Sequence, residues 1–149
     1  TKGYDLTAAI SPTDYWQIVG GYSHAESTIT ASQQAINIGL ARVGVPDYRW
    51  KLWTRYRFPN GWLKGLAIGA GTNYVAARSV QFATGTTAAL WLPSYRLFDA
   101  MVSYHWRKQL TFQLNIKNIA DEQYYPNGNA NRFVVGDPRT ISFSTGYRF

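Results

Sequence analysis

"YRWKLWTRYRF", residues 48–58, alternates without a break. Tyr48, Trp50, Leu52, Thr54, Tyr56 and Phe58 fall on one side of an extended chain, and Arg49, Lys51, Trp53, Arg55 and Arg57 fall on the other. Side chains of a strand point to opposite faces with period two, so the segment reads as a β-strand with an apolar face and a cationic face. A helix would scatter both sets around its circumference. What covers the apolar face decides the fold.

The same period recurs on either side. Residues 3–11 set Tyr4, Leu6, Ala8 and Ile10 against Gly3, Asp5, Thr7 and Ser11, and residues 15–26 set Trp16, Ile18 and Tyr22 against Gln17, Gly21 and Ser23. Residues 65–76, 95–106, 110–117 and 139–149 alternate likewise, which makes seven strands and no convincing helix. The connections alternate in length. "PTD" at 12–14, "PNGWLK" at 59–64 and "RKQ" at 107–109 are short, whereas residues 27–46, 79–93 and 120–138 form long polar segments. Short turns at one end and long loops at the other are the pattern of an outer-membrane barrel.

Aromatic residues give an independent test. Trp16, Tyr56, Phe58, Trp62, Tyr104, Trp106, Tyr147 and Phe149 fall at one level near the short turns. Tyr4, Tyr22, Tyr48, Trp50, Tyr74 and Tyr95 fall near the long loops. Two such bands predict the girdles at which amphipathic rings meet the headgroups.

The composition agrees. Aromatic residues make up 16% of the 149 residues and charged residues only 15%, against about 25% charged in ordinary soluble domains. The absence of Cys excludes disulfides and thiol chemistry. No apolar run approaches the ~18 residues of a spanning helix, but a membrane strand needs only ~10 alternating residues. The net charge of +7 points to anionic partners.

Catalytic motifs are missing. "GLAIGAGTNY" (65–74) lacks the third glycine of a dinucleotide fingerprint and opens no helix, so Gly65, Gly69 and Gly71 read as strand glycines under close backbone approach. His24 and His105 have no ligand-spaced partners, so neither a metal site nor a catalytic residue is expected. Arg49, Lys51, Arg55 and Arg57 form either a wall whose charges pair with acids elsewhere or a positive lumen that draws in anions. Nucleic acid is not expected as a partner, because the aromatic residues lie on the face opposite the cations and bases could not stack where phosphates bind.

Four segments carry a resemblance. "NIKNIADEQYYPNG" (115–128) resembles the N-x-x-N-x-x-D-x-x-Y-Y segment near the end of TonB-dependent outer-membrane receptors. "GDPRTISFSTGYRF" (136–149) is similar to the ending of their ferric-siderophore branch, and "LPSYRLFDAMVSYHW" (92–106) and "KGYDLTAAISPTDYWQIVGGYSHAES" (2–27) match that branch in order and spacing. The resemblance implies an all-β fold: an antiparallel up-and-down meander of seven strands, the C-terminal segment of a 22-stranded transmembrane β-barrel. Residues 1–149 would be the C-terminal part of that barrel, with the plug domain and earlier strands absent.

The implied function is import of a ferric siderophore across the outer membrane of a Gram-negative bacterium, with the siderophore as transported ligand and no covalently bound cofactor. The implied partners are the TonB energy-coupling complex (through the plug), outer-membrane lipid and lipopolysaccharide, and the barrel-assembly machinery. Such receptors hold an anionic or aromatic chelate with rings and cations in their loops. Here the candidates are Phe82, Trp91, Tyr125, Arg132 and Phe133. Ile141, Phe143, Tyr147 and Phe149 would form the C-terminal assembly signal. Two alternatives stand beside this reading: a complete eight-stranded outer-membrane barrel and a soluble β-sandwich acting as a binding module.

Overall fold

The computed structural model describes residues 1–33, 35–83, 88–107 and 109–148. Its strands are β1 (Lys2–Thr13), β2 (Trp16–Glu26), β3 (Tyr48–Arg57), β4 (Leu66–Val75), β5 (Arg78–Gln81), β6 (Leu90–Leu92), β7 (Tyr95–Trp106), β8 (Leu110–Lys117), β9 (Asn127–Asn129), β10 (Arg132–Val134) and β11 (Thr140–Tyr147). Seven of them form one antiparallel sheet in the order β1-β2-β3-β4-β7-β8-β11, and β5–β6 and β9–β10 are two-stranded ribbons within the long connections. The meander is the expected one. The ribbons were not expected, because strands of three or four residues are too short for alternation to register.

No second sheet of comparable size faces the first, which removes the sandwich. β1 and β11 are the sheet's two edges and do not pair with each other, so the seven strands form a wall and not a closed barrel.

Register separates two faces. Ile68, Val102, Leu114 and Phe143 are successive partners across four strands, and Leu52, Thr72 and Phe98 across three. The large apolar side chains of this outer face are exposed, Phe143 by 65%. On the inner face the sequence Gln17, Arg55, Gly69, Met101, Asn115, Ser142 runs across six strands. That face is polar and small, with Ala67 and Ser103 buried in it. A sheet in water would show the reverse, so the outer face is built for hydrocarbon.

Trp53 is the exception on the inner wall. Its indole lies across β4, and a Cβ added at Gly69 would stand 2.8 Å from Trp53 Cζ2, while one at Gly71 would overlap the ring. These two glycines therefore make room chiefly for a ring, with the Thr54 and Leu52 carbonyls also near. Gly65 is not a strand glycine as expected. It closes the β3–β4 turn at φ 92°, and its carbonyl accepts the His105 N–H at 2.9 Å.

The short turns lie together at one end, joined by bonds from Arg57 N–H to Tyr15 O (2.8 Å) and from Arg148 N–H to Gln109 O (2.9 Å). The upper aromatic band is a continuous row. Ring centroids lie 6.0 Å apart for Tyr4–Tyr22, 6.4 Å for Tyr22–Tyr48, 5.7 Å for Tyr48–Tyr74 and 5.9 Å for Trp50–Tyr74. Tyr95 was expected in it but belongs to the inner face, where its ring meets Tyr124 at 4.7 Å. The lower band includes Trp16, whose Nε1 donates to Thr54 Oγ1 at 2.8 Å, and Tyr56. Tyr48 and Tyr56 bracket about 26 Å of strand, close to the height of an outer-membrane apolar band.

Leu114 and Gln113 test the faces. Leu114 lies mid-strand between Val102 and Phe143, whereas Gln113 lies on the inner wall with Nε2 donating to Asn115 Oδ1 at 2.8 Å. In the full-length protein, Leu114→Arg should cost about 2–4 kcal/mol of membrane insertion. Gln113→Arg should insert normally. Heat-modifiable gel mobility of outer-membrane fractions reads both, and equal insertion would reverse the assignment.

Candidate functional site

The long connections gather at the end opposite the short turns. Gly44 N–H donates to Ser79 O at 2.7 Å, which ties the first to the second. Arg78 ties the second to the third. Its Nη2 donates to the carbonyls of Tyr125 (3.0 Å) and Pro126 (2.7 Å) although the residue is only 4% exposed. Buried beside the loops lie Ala76, Val80, Leu92 and Leu97, so most of the buried apolar residues cluster at the mouth and not in the sheet. A membrane wall needs little core of its own, but polar loops need a local one to hold a shape.

The third connection is pinned at its base by Asn118. This residue is 3% exposed and adopts φ 51°, a conformation Asn tolerates better than most residues. Its N–H donates to Asp99 Oδ1 at 2.9 Å, and its Oδ1 accepts the Glu122 N–H at 2.9 Å. Its Nδ2 donates to the carbonyls of Glu122 (3.0 Å) and Asp137 (3.1 Å). Asp121 repeats the device one step further: Oδ1 accepts the Arg139 N–H at 2.7 Å, and Oδ2 lies 3.7 Å from Arg139 Nη2. The N-x-x-D motif and the D-P-R motif, some twenty residues apart, thus hold each other.

Above this base, Gly136 sits against Tyr124, where any side chain would overlap the ring, and its N–H donates to Tyr124 O at 2.8 Å. Of the expected ligand residues, Tyr125 and Phe133 come together edge to face at 6.0 Å. Arg132 is on the same ribbon, its N–H bonded to Asn129 Oδ1 at 3.0 Å, and it helps line a hollow of about 280 Å³ with Asn127, Gly128, Asn129 and Val134. Trp91 and Phe82 belong to the other ribbon. Trp91 pairs with Ser79 in register and is 60% exposed, on the face opposite buried Leu92. Arg78 is the link between the two groups.

The inner wall below carries the cationic row. Arg49 and Lys51 line a hollow of about 400 Å³ with Asp5, Thr7, Ser23 and Asn73. Arg55, Arg57, Lys64 and Arg107 line another of about 620 Å³ at the short-turn end. Among the described residues, none of these cations lies within ion-pair distance of a carboxylate. The roles of Arg78 and Asn118 were not foreseen. The motif around Asn118 stood out, but a hydrogen-bond hub has no period to reveal it.

A family model described as "TonB dependent receptor-like, beta-barrel" matches residues 1–119. The catecholate siderophore receptor Fiu of Escherichia coli (strain K12) is 28% identical over 153 residues, covering 99% of this chain and 19% of that protein. The probable TonB-dependent receptor BfrD of Bordetella pertussis is 34% identical over 154 residues, covering 97% of this chain and 20% of that protein. The crystal structure of the siderophore receptor PiuA from Acinetobacter baumannii aligns with a TM-score of 0.80 at 27% identity, covering 97% of this chain and 21% of that one. The chain spans about a fifth of the length of these relatives.

Asn118→Ala removes three side-chain hydrogen bonds and the residue suited to positive φ. The loss should come to about 3 kcal/mol. It should appear as faster protease cleavage within residues 118–139 of the full-length protein, with the barrel still inserted. Unchanged cleavage would mean that the loop is held elsewhere.

Proposed function

The chain belongs to the TonB-dependent receptor-like β-barrel family, whose members are outer-membrane proteins, and on that premise we propose that it is part of the wall and mouth of a receptor that imports a ferric siderophore. The observation that carries the proposal is likeness along 97–99% of the chain to proteins named as siderophore receptors. The whole receptor would capture the iron complex from outside and depend on TonB for its import.

We place residues 1–149 in the C-terminal part of a 22-stranded barrel, with the plug domain and earlier strands supplied by the rest of the receptor. Strands from that remainder would pair with the free edges of β1 and β11, which cannot stay unpaired in lipid. Ile141, Phe143 and Tyr147 lie on the outer face, exposed on β11, and would be read by the assembly machinery together with Phe149, which lies outside the described residues.

The ligand would meet the mouth. Tyr125, Phe133 and Arg132 offer ring edges and a cation on one ribbon, and Trp91, with Phe82 beyond β5, offers rings on the other. A ferric chelate carries charge and, in the catecholate class, rings, so both kinds of contact suit it.

In the full-length receptor, joint replacement of Trp91, Arg132 and Phe133 by Ala should weaken ferric-siderophore binding by at least about tenfold, the equivalent of one good anchor. Surface expression should not change. Equilibrium binding to whole cells measures the first and surface labelling the second. Unchanged affinity would remove these two ribbons from the site.

A further inference from the structure

One guanidinium stands on the face built for hydrocarbon. Arg96 is the register partner of Tyr74, which pairs in turn with Trp50, Tyr22 and Leu6 along one row of the outer face. Its Cζ lies 5.3 Å from the Trp50 ring centroid and 5.7 Å from that of Tyr74. The side chain is exposed, and among the described residues no carboxylate lies within ion-pair distance of it. The rings attract its charge but accept none of its strong N–H donors, so those remain for an anion.

The level is set by energetics. An outward Arg costs about 2–4 kcal/mol at the bilayer midplane and about 0–1 kcal/mol at the interface. Arg96 is second in β7 at the long-loop end, beside a row of rings whose planes lie within 16–29° of one another. Such a row marks the headgroup level. On that side of an outer membrane the headgroups are phosphorylated sugars of the outer-leaflet glycolipid. A planar guanidinium fork fits a phosphate bidentately, and flat phenol rings suit the faces of sugars and the roots of acyl chains.

We propose that Arg96, seated over Trp50 and Tyr74, is a binding site for a phosphate on the headgroup of the outer-leaflet glycolipid, with Tyr22 and Tyr48 packing against the same molecule. The site is distinct from the ligand mouth. It faces the membrane, whereas Tyr124 and Tyr95 face inward, so it holds a boundary lipid and not cargo.

The test uses the full-length receptor and its Arg96→Ala and Arg96→Lys variants, each purified, stripped of lipid and placed in nanodiscs. Probes are lipid A with both phosphates, dephosphorylated lipid A, and inorganic phosphate as competitor. Native mass spectrometry counts bound lipid A per receptor. The wild type should retain the phosphorylated form about tenfold better than the dephosphorylated one, as expected of one charge-assisted pair. Arg96→Ala should lose that preference and Arg96→Lys should keep part of it, both with unaltered heat-modifiable mobility and siderophore binding. Equal retention of the two lipid A forms by the wild type, or an undiminished preference in Arg96→Ala, overturns the proposal. Displacement of phosphorylated lipid A by millimolar inorganic phosphate reassigns the site to a free anion and overturns it as well.

Discussion

Hydrocarbon offers no hydrogen bonds, and that single constraint governs the sheet. Every peptide group at membrane depth must find its partner in a neighbouring strand. Within the wall this is met by an unbroken antiparallel ladder from β1 to β11. At the two edges it is not met inside this chain, which makes pairing with further strands a physical requirement and not an option. The same constraint explains why the faces are inverted relative to a soluble sheet: large side chains such as Phe98 and Phe143 lie outside, and Gly69, Gly71 and Ser103 lie inside. The wall needs neither a packed interior nor a second layer, because lipid performs the covering.

Where the strands leave the membrane, the rule changes. The loops stand in water and must be ordered by contacts of their own. Two polar residues, both nearly inaccessible to solvent, provide much of that order. Asn118 joins the end of β8 to the return of the chain at Asp137, and Arg78 joins neighbouring connections through backbone carbonyls. A buried guanidinium is costly to leave unsatisfied, so its two carbonyl partners are held firmly. The ribbons bearing Trp91 and Phe133 are thereby presented as one assembly.

The two sides of the wall carry cations in different ways. Inside, Arg49, Lys51, Arg55 and Arg57 form an open row, with Asp5 across the same hollow as Arg49 and Lys51. Outside, Arg96 is alone and seated over rings. A charge facing a lumen is hydrated or met by whatever fills it. A charge facing lipid is tolerated only at the interface, where its position is fixed by what lies beside it.

The sequence by itself determined the strands, their order and their two faces, since period-two alternation and the lengths of connections are local properties of the chain. The short turns at 59–64 and 107–109 and the apolar face of Ile141, Phe143 and Tyr147 needed nothing more. Only the tertiary structure decided what depends on residues far apart in sequence. Tyr95 alternates like its neighbours, yet its ring belongs to Tyr124 and the inner wall. Gly69 and Gly71 looked like sites of backbone approach, and the object lying over them is the ring of Trp53. Phe133 meets Tyr125 because a short ribbon folds back on itself, and Asn118 acquires its bonds from segments that periodicity cannot relate. Alternation encodes which way a side chain points; which partner it meets is fixed by the register of distant strands and the closure of loops.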